Sequence, residues 1–235
     1  MLKRCLAVIF VATLAISLVG CGIGSVFGGK PVPPLSGYSK VVIAPFEIKK
    51  PTGQYTELPT MLTYGAGTKL GIRFKDKGWD FDQSRDMKPI TSKMKELGIS
   101  QNGLFQNTEE AVKIGKAFGA DLVILGMATE PKYSIERSGK ISEDKSKASR
   151  IGTRYYTVYQ KALLRVNVKI VEVNSSKVIW AGDILGYKTY ETKYLTGVTE
   201  KTQREETMYA DIRKTWVDNF VAKLYPETIA PGTTK

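Results

Sequence analysis

Phe118-Gly119-Ala120-Asp121-Leu122-Val123-Ile124-Leu125-Gly126 is the stretch on which the fold turns. Its apolar run is short, rich in branched side chains and bracketed by glycines. Such a run predicts a strand buried on both faces rather than a helix. What precedes it has the helical period. Asn107 followed by Glu110 makes a capping-box-like start, and Gly119 stands where a helix takes its left-handed end, so a helix is predicted over 108–118. A helix running through a glycine turn into a strand buried on both faces is the unit from which α/β layers are built.

Working toward the N-terminus, Lys40-Val41-Val42-Ile43-Ala44-Pro45-Phe46 reads as a second strand of the same kind. Pro45 marks its end, because proline cannot donate to the ladder. A helix is predicted over 58–76, with Pro59 in its first turn and Leu58, Met61, Leu62, Ala66, Leu70 and Phe74 as its apolar stripe. Gly78 ends it. Trp79-Asp80-Phe81-Asp82 reads as a further strand and 88–98 as a short helix. The N-terminal half is thus βαβαβ.

The other direction has a different rhythm. Leu164, Val166, Val168 and Ile170 alternate with Arg165, Asn167 and Lys169, which predicts a strand with one wet face. Asn174-Ser175-Ser176-Lys177 is a turn, and Val178 to Ile184 returns as the hairpin partner. Tyr209, Ile212, Trp216, Phe220 and Leu224 recur at helical spacing until Pro226. The fold class is therefore α/β. The expected form is three-layer-like, with a mixed central sheet, N-terminal βαβαβ, an antiparallel hairpin and a C-terminal helix. One domain is expected over 39–228, and a disordered tail over 229–235.

The first residues read as an export signal. Lys3 and Arg4 precede an apolar run, Leu6 to Val19, that falls short of the ~20 residues a spanning helix needs. Leu18-Val19-Gly20-Cys21 resembles the lipobox of bacterial lipoprotein precursors. The resemblance implies cleavage between Gly20 and Cys21, lipidation of Cys21, and a signal peptide over 1–20. Gly22, rather than an aspartate, then implies the outer membrane, periplasmic face. Residues 21–38 form a Gly/Pro tether. Several acyl chains, at about 0.8 kcal/mol per buried CH₂, make a stable anchor.

Composition limits the chemistry. The chain carries 35 Lys/Arg against 23 Asp/Glu and no histidine. Without residues 1–20 it keeps 33 basic against 23 acidic side chains, +10. The lack of histidine removes Ser-His-Asp and Cys-His nucleophiles and the usual zinc sites. Cys5 lies in the signal, so Cys21 is the only cysteine left and no internal disulfide forms. We expect no catalytic residues, no metal and no cofactor. Gly65-Ala66-Gly67-Thr68-Lys69-Leu70-Gly71 matches neither phosphate-loop template. It reads as close helix–sheet packing.

Three marks in order resemble a family: the Val-Val-Ile-Ala-Pro-Phe strand, the helix ending in Phe118 to Gly126, and the strand-turn-strand of Ala162 to Trp180. The chain resembles the curli assembly and transport lipoproteins (CsgG-like). Related in shape are the lipoprotein activators of penicillin-binding proteins and the N-terminal domain of the Tol–Pal periplasmic propeller protein. Gly152-Thr153-Arg154-Tyr155-Tyr156 also looks like the curli channel lipoprotein. The resemblance implies a non-enzymatic accessory in assembly or transport, with periplasmic or outer-membrane protein partners. It also carries two alternatives: a ring-forming channel subunit, with assembly into a homo-oligomer, and an activator of a cell-wall synthase. A channel subunit of that kind gives two membrane hairpins, here over 129–162 and 185–205. A spanning strand needs ~9–11 residues with an apolar lipid face. Neither segment provides one.

Two features stay open between readings. Residues 131–154 are rich in Lys/Arg and are either a solvated loop or an electrostatic patch for anionic headgroups or an acidic partner. Tyr155, Tyr156, Tyr159, Tyr187, Tyr190 and Tyr194 are either ordinary cross-strand pairs or a partner surface. Nucleic acid is not an expected partner of an exported chain.

Overall fold

The computed structural model describes residues 31–33, 35, 37–50, 53–74, 87–138, 142–144 and 153–224. The signal over 1–20, Gly20, Cys21, the strand expected at 79–82, the centre of the basic stretch and the tail 229–235 lie outside these residues.

Among the described residues a mixed seven-stranded sheet runs between helices on both faces. Its strands are β1 (Val41–Ile43), β2 (Glu47–Ile48), β3 (Leu122–Ala128), β4 (Lys132–Arg137), β5 (Ser142–Asp144), β6 (Thr153–Glu172) and β7 (Lys177–Leu195). The helices are α1 (Leu58–Phe74), α2 (Lys88–Glu96), α3 (Thr108–Ala117) and α4 (Glu205–Leu224). β1 and β2 pair in parallel with β3. β3, β4 and β5 pair antiparallel, one after another, along one edge of β6. β7 follows its other edge from Tyr155↔Leu195 to Glu172↔Lys177.

Local chemistry explains the joints. Ile43 is opposite Ile124 and Glu47 is opposite Met127, so the first edge carries one extra residue. Pro45 sits in that excess. The Phe46 N–H turns from the sheet and donates to Thr63 Oγ1 of α1 at 2.9 Å. Pro45 therefore interrupts the strand, which resumes as β2. At the end of α3 the Ala120 N–H donates to the Gly115 carbonyl (2.8 Å) and the Gly119 N–H to that of Lys116 (3.1 Å). With Gly119 at φ 59° this is a Schellman ending. At its start Asn107 Oδ1 accepts from the Glu110 N–H at 3.2 Å.

One core lies between the sheet and the pair α1 and α4. It holds Leu58, Leu62, Ala66 and Leu70 against Leu164, Val166, Val168 and Ile170, with Ile212, Trp216 and Phe220. Phe46, Trp216 and Phe220 interlock there, with Trp216 stacked on Phe220 at 5.1 Å and Phe46 edge-on to Trp216 at 5.8 Å. Each such pair contributes about 0.5–1.5 kcal/mol beyond its buried area. A second core, on the opposite face, packs α2 and α3 against Val42, Val123, Leu125 and Val171. It covers only the β1–β3 end of that face.

The chain enters at the same end as the β6–β7 turn. Val32 and Tyr38 pack on the first core and Leu35 is buried in it. Tyr38 Oη donates to Glu172 at 2.6 Å. The N–H groups of Ser39 and Lys40 donate to Asp121 at 2.8 and 2.9 Å. Three residues of the segment read as tether thus already lie against the domain.

The hairpin is much longer than its sequence signal. β6 has 20 residues and β7 has 19. The far half extends beyond the cover of α2 and α3.

Candidate interaction surface

Strict registration sorts the six candidate tyrosines. Side chains alternate across a strand, and β6 and β7 stay in register from Tyr155↔Leu195 to Ile170↔Trp180, where the ladder shifts. Tyr156 is opposite Tyr194 and Gln160 is opposite Tyr190. These residues share the face that carries Ala162, Leu164 and Val166, under α4. Tyr155, Tyr159 and Tyr187 share the other face.

The three on the α4 side are fasteners. Tyr190 Oη donates to the Asp211 carboxylate of α4. Burial, and then that carboxylate, push its pKa up to about 12. Tyr194 Oη donates to the Lys201 carbonyl and accepts from the Lys201 N–H at 3.0 Å. The Tyr156 ring lies 5.9 Å from that of Tyr194. Arg137 grips Glu200 with two bonds of 2.8 Å. That grip, above all, holds the Glu200 carboxyl below its usual range. Gln160 is buried and its Oε1 accepts from the Gln203 N–H at 2.8 Å. Together these bonds strap the link 196–204 and the first turns of α4 to the hairpin.

The opposite face is open. From Asn167 out to Tyr155, none of the described β4, β6 or β7 side chains on it is buried. It begins beside Lys169, which donates to the Phe105 carbonyl at 2.9 Å and lies 4.3 Å from the Phe105 ring centre. Beyond that come Leu163, Leu185 and Leu195 among Tyr155, Tyr159 and Tyr187. Tyr187 is 48% exposed and Leu195 41%. Charges of both signs alternate between them. Lys161 pairs with Glu136, and Arg165 approaches Asp183 at 3.8 Å. Twelve residues each of β6 and β7 and the six of β4, at about 3.3 Å per residue and about 4.8 Å per strand, give a plane of roughly 480 Å² before side-chain relief. A standard protein interface takes about 800 Å² from each partner, so this face is of the right order.

The basic stretch 131–154 is not one loop. Lys132 and Arg137 belong to β4, and 142–144 form β5. The segment 185–205, where a channel subunit would place a membrane hairpin, is the outer half of β7 followed by the link to α4. Among the described residues no helix is long and apolar enough to cross a membrane, and no group of three metal-ligating side chains converges.

Sequence alone did not pick out Leu163, Leu185 and Leu195 as surface residues. Their signal was parity: each shares a face with Tyr155, Tyr159 and Tyr187.

No family model and no curated protein matches the chain. Some solved structures do, at low similarity. Lipoprotein GNA1162 from Neisseria meningitidis is 11% identical, with TM-score 0.37, over 75% of this chain and 96% of that one. The LpoB C-terminal domain from Salmonella enterica is 11% identical, with TM-score 0.34, over 68% and 86%. A putative neuraminyllactose-binding hemagglutinin homolog from Helicobacter pylori is 16% identical, with TM-score 0.40, over 85% and 90%. Likenesses of this size assign the chain neither a family nor an activity.

Proposed function

We propose that this protein is a lipid-anchored periplasmic lipoprotein of the outer membrane that works without catalysis, by binding a protein partner through the open face of its long hairpin. One observation carries the reading. Three of six clustered tyrosines fasten the fold, while the other three stand with leucines on a face left uncovered by the helices. Tyrosine and arginine are favoured where proteins meet, and an open face of mixed charge suits a polar-rimmed contact. The lipobox at Leu18 to Cys21 supports the anchor, and the missing histidines support the non-enzymatic part. The narrower role, in assembly or transport of surface structures, rests on the resemblance to curli lipoproteins alone.

The channel alternative fits less well. The β7 side chains that would have to face lipid or a lumen are Gly186, Lys188, Tyr190, Thr192 and Tyr194. This face is pinned beneath α4 and its link.

Two measurements test the proposal. Cys21→Ser should move the folded protein from the membrane fraction to the soluble one. A photoreactive side chain at Tyr187 should give one discrete cross-link in cells, lost with Tyr159→Ala, while the same probe at Thr68 on α1 should give none. No cross-link at Tyr187 would remove the face as a contact. Uniform rings of the lipidated protein in detergent would favour the channel instead.

A further inference from the structure

A second feature lies apart from the tyrosine face. A cleft of about 440 Å³ opens at the end of β2, lined by Glu47, Ile48, Thr56, Pro59, Gln101 and Asn102. It lies between the start of α1 and the loop before α3, beyond the carboxyl ends of parallel strands. Open α/β sheets place their ligands in crevices of that kind. Its volume falls in the ordinary range for small-molecule sites, about 300–1,000 Å³.

The charge of the lining is one-sided. Glu47 is 8% exposed. It accepts from the Gly103 N–H at 2.8 Å and from the Phe105 N–H. A carboxylate has about four acceptor positions, so about half are spent. Among the described residues no cation pairs with it. Gln101 Nε2 donates one N–H to the Phe46 carbonyl at 2.9 Å, which leaves the amide its second N–H and its oxygen. The Thr56 hydroxyl donates to the Gly53 carbonyl at 3.4 Å, which likewise leaves lone pairs. The Gln101 and Asn102 amides bring donors as well as acceptors to the cleft, but the one ionisable group in its lining is a carboxylate, Glu47. The N-terminus of α1 brings about half a positive charge to the same cleft, which offsets the carboxylate only in part. Ile48 and Pro59 add an apolar wall.

We propose that the cleft binds an organic cation: a primary ammonium or guanidinium on an aliphatic stem, as lysine and arginine side chains carry. The head would bond to Glu47 and the Gln101 oxygen, and the stem would lie on Ile48 and Pro59. A metal ion is disfavoured by the donor set, which holds one carboxylate and otherwise neutral oxygens.

The test is a titration of the full chain, isotope-labelled and in detergent micelles, followed at the amides of Gly103 and Phe105. N-acetyl-lysine methylamide and N-acetyl-arginine methylamide should shift both resonances saturably, and less so in high salt. The neutral norleucine analogue should bind at least about tenfold more weakly, having no charge-assisted bond to make. Equal binding by norleucine, or no shift with any probe, would overturn the proposal. So would the same shifts with calcium alone at lower concentration. Putrescine identifies the source: a tighter response to it points to free polyamines, a tighter response to the lysine amide to a protein side chain, and either upholds the cation. Glu47→Gln should abolish the response, though it also loosens the 101–105 loop. Asn102→Lys leaves every bond of Glu47 in place. It should bring the cation from within, shift both amides in advance and block the probe; an unchanged response to the probe would refute the assignment.

Discussion

Gly186→Ala asks most directly whether the outer half of β7 is packed protein or a membrane face. A methyl built on Gly186 would sit 2.2 Å from the Ile212 carbonyl oxygen, 2.8 Å from Trp216 Cβ and 3.1 Å from the Trp216 nitrogen. Two of these neighbours are helix backbone, so no rotamer change relieves the clash. Since Cβ contacts below 3.0 Å essentially do not occur, α4 must retreat by about 0.8 Å or more. A gap of that width forfeits roughly a quarter to a half of each dispersion contact along it. Ile212, Trp216 and Phe220, all at 0% exposure, make those contacts. We expect a loss of about 3 kcal/mol, at the upper end of the overpacking range. At roughly 2–4 °C per kcal/mol for a domain of this size, Tm falls by about 6–12 °C. Scanning calorimetry beside Gly37→Ala, where nothing lies within 4 Å, supplies the control, expected within about 0.5 kcal/mol of wild type. A fall of less than about 2 °C for Gly186→Ala would mean that α4 does not lie on β7. The objection to a channel would then fall with it.

Gly119→Ala forces a side chain into φ 59° and should cost about 1–2 kcal/mol by denaturant unfolding, with no change in slope. Tyr190, held up to about 12 by burial and then by Asp211, stabilises the fold fully below its unfolded pKa near 10. That contribution is lost as pH rises through 12, so Tyr190→Phe should flatten the alkaline limb of the stability curve. Asp121 has the opposite sign. The N–H groups of Lys40 and then Ser39 lower its pKa, so its contribution is present above about pH 4 and lost as pH falls through the depressed value. Asp121→Asn should remove part of the acid limb of unfolding. The double change Tyr159→Ala with Tyr187→Ala should leave Tm within about 2 °C, because neither side chain is buried, while abolishing partner capture.

The α/β order was legible where sequence and burial share a period. Val41 to Ile43 and Leu122 to Leu125 are apolar on both faces because each face meets a core. The helix at 108–117 announced itself by its caps. The hairpin was legible only over its inner half. From Leu164 to Ile170 the buried face is all aliphatic, but at its outer end the same face carries a buried Gln160, and β7 adds Gly186, Lys188 and Tyr190. A polar residue satisfied by Gln203 and a glycine beneath a helix break a hydrophobic alternation without breaking the strand. The strand at Pro45 is the reverse case. Proline ends the ladder locally, yet the bulge lets β2 rejoin the same neighbour.

The tyrosines resisted a sequence reading for a related reason. Cross-strand pairing and partner binding select the same residue, and both call for alternation. What separates them is whether a helix covers the face, which depends on α4, whose own face is set some twenty residues further along the chain. With α4 in place, Tyr156, Tyr190 and Tyr194 find intramolecular acceptors while Tyr155, Tyr159 and Tyr187 do not meet a layer at all. The ion pairs beside the latter, Lys161–Glu136 and Arg165–Asp183, are exposed, and such pairs are worth only about 0–1 kcal/mol each. A partner can therefore displace them at little cost and bury rigid aromatic area in return. Their charges keep the face wet in the meantime, so affinity would come from the tyrosines and leucines and orientation from the charges.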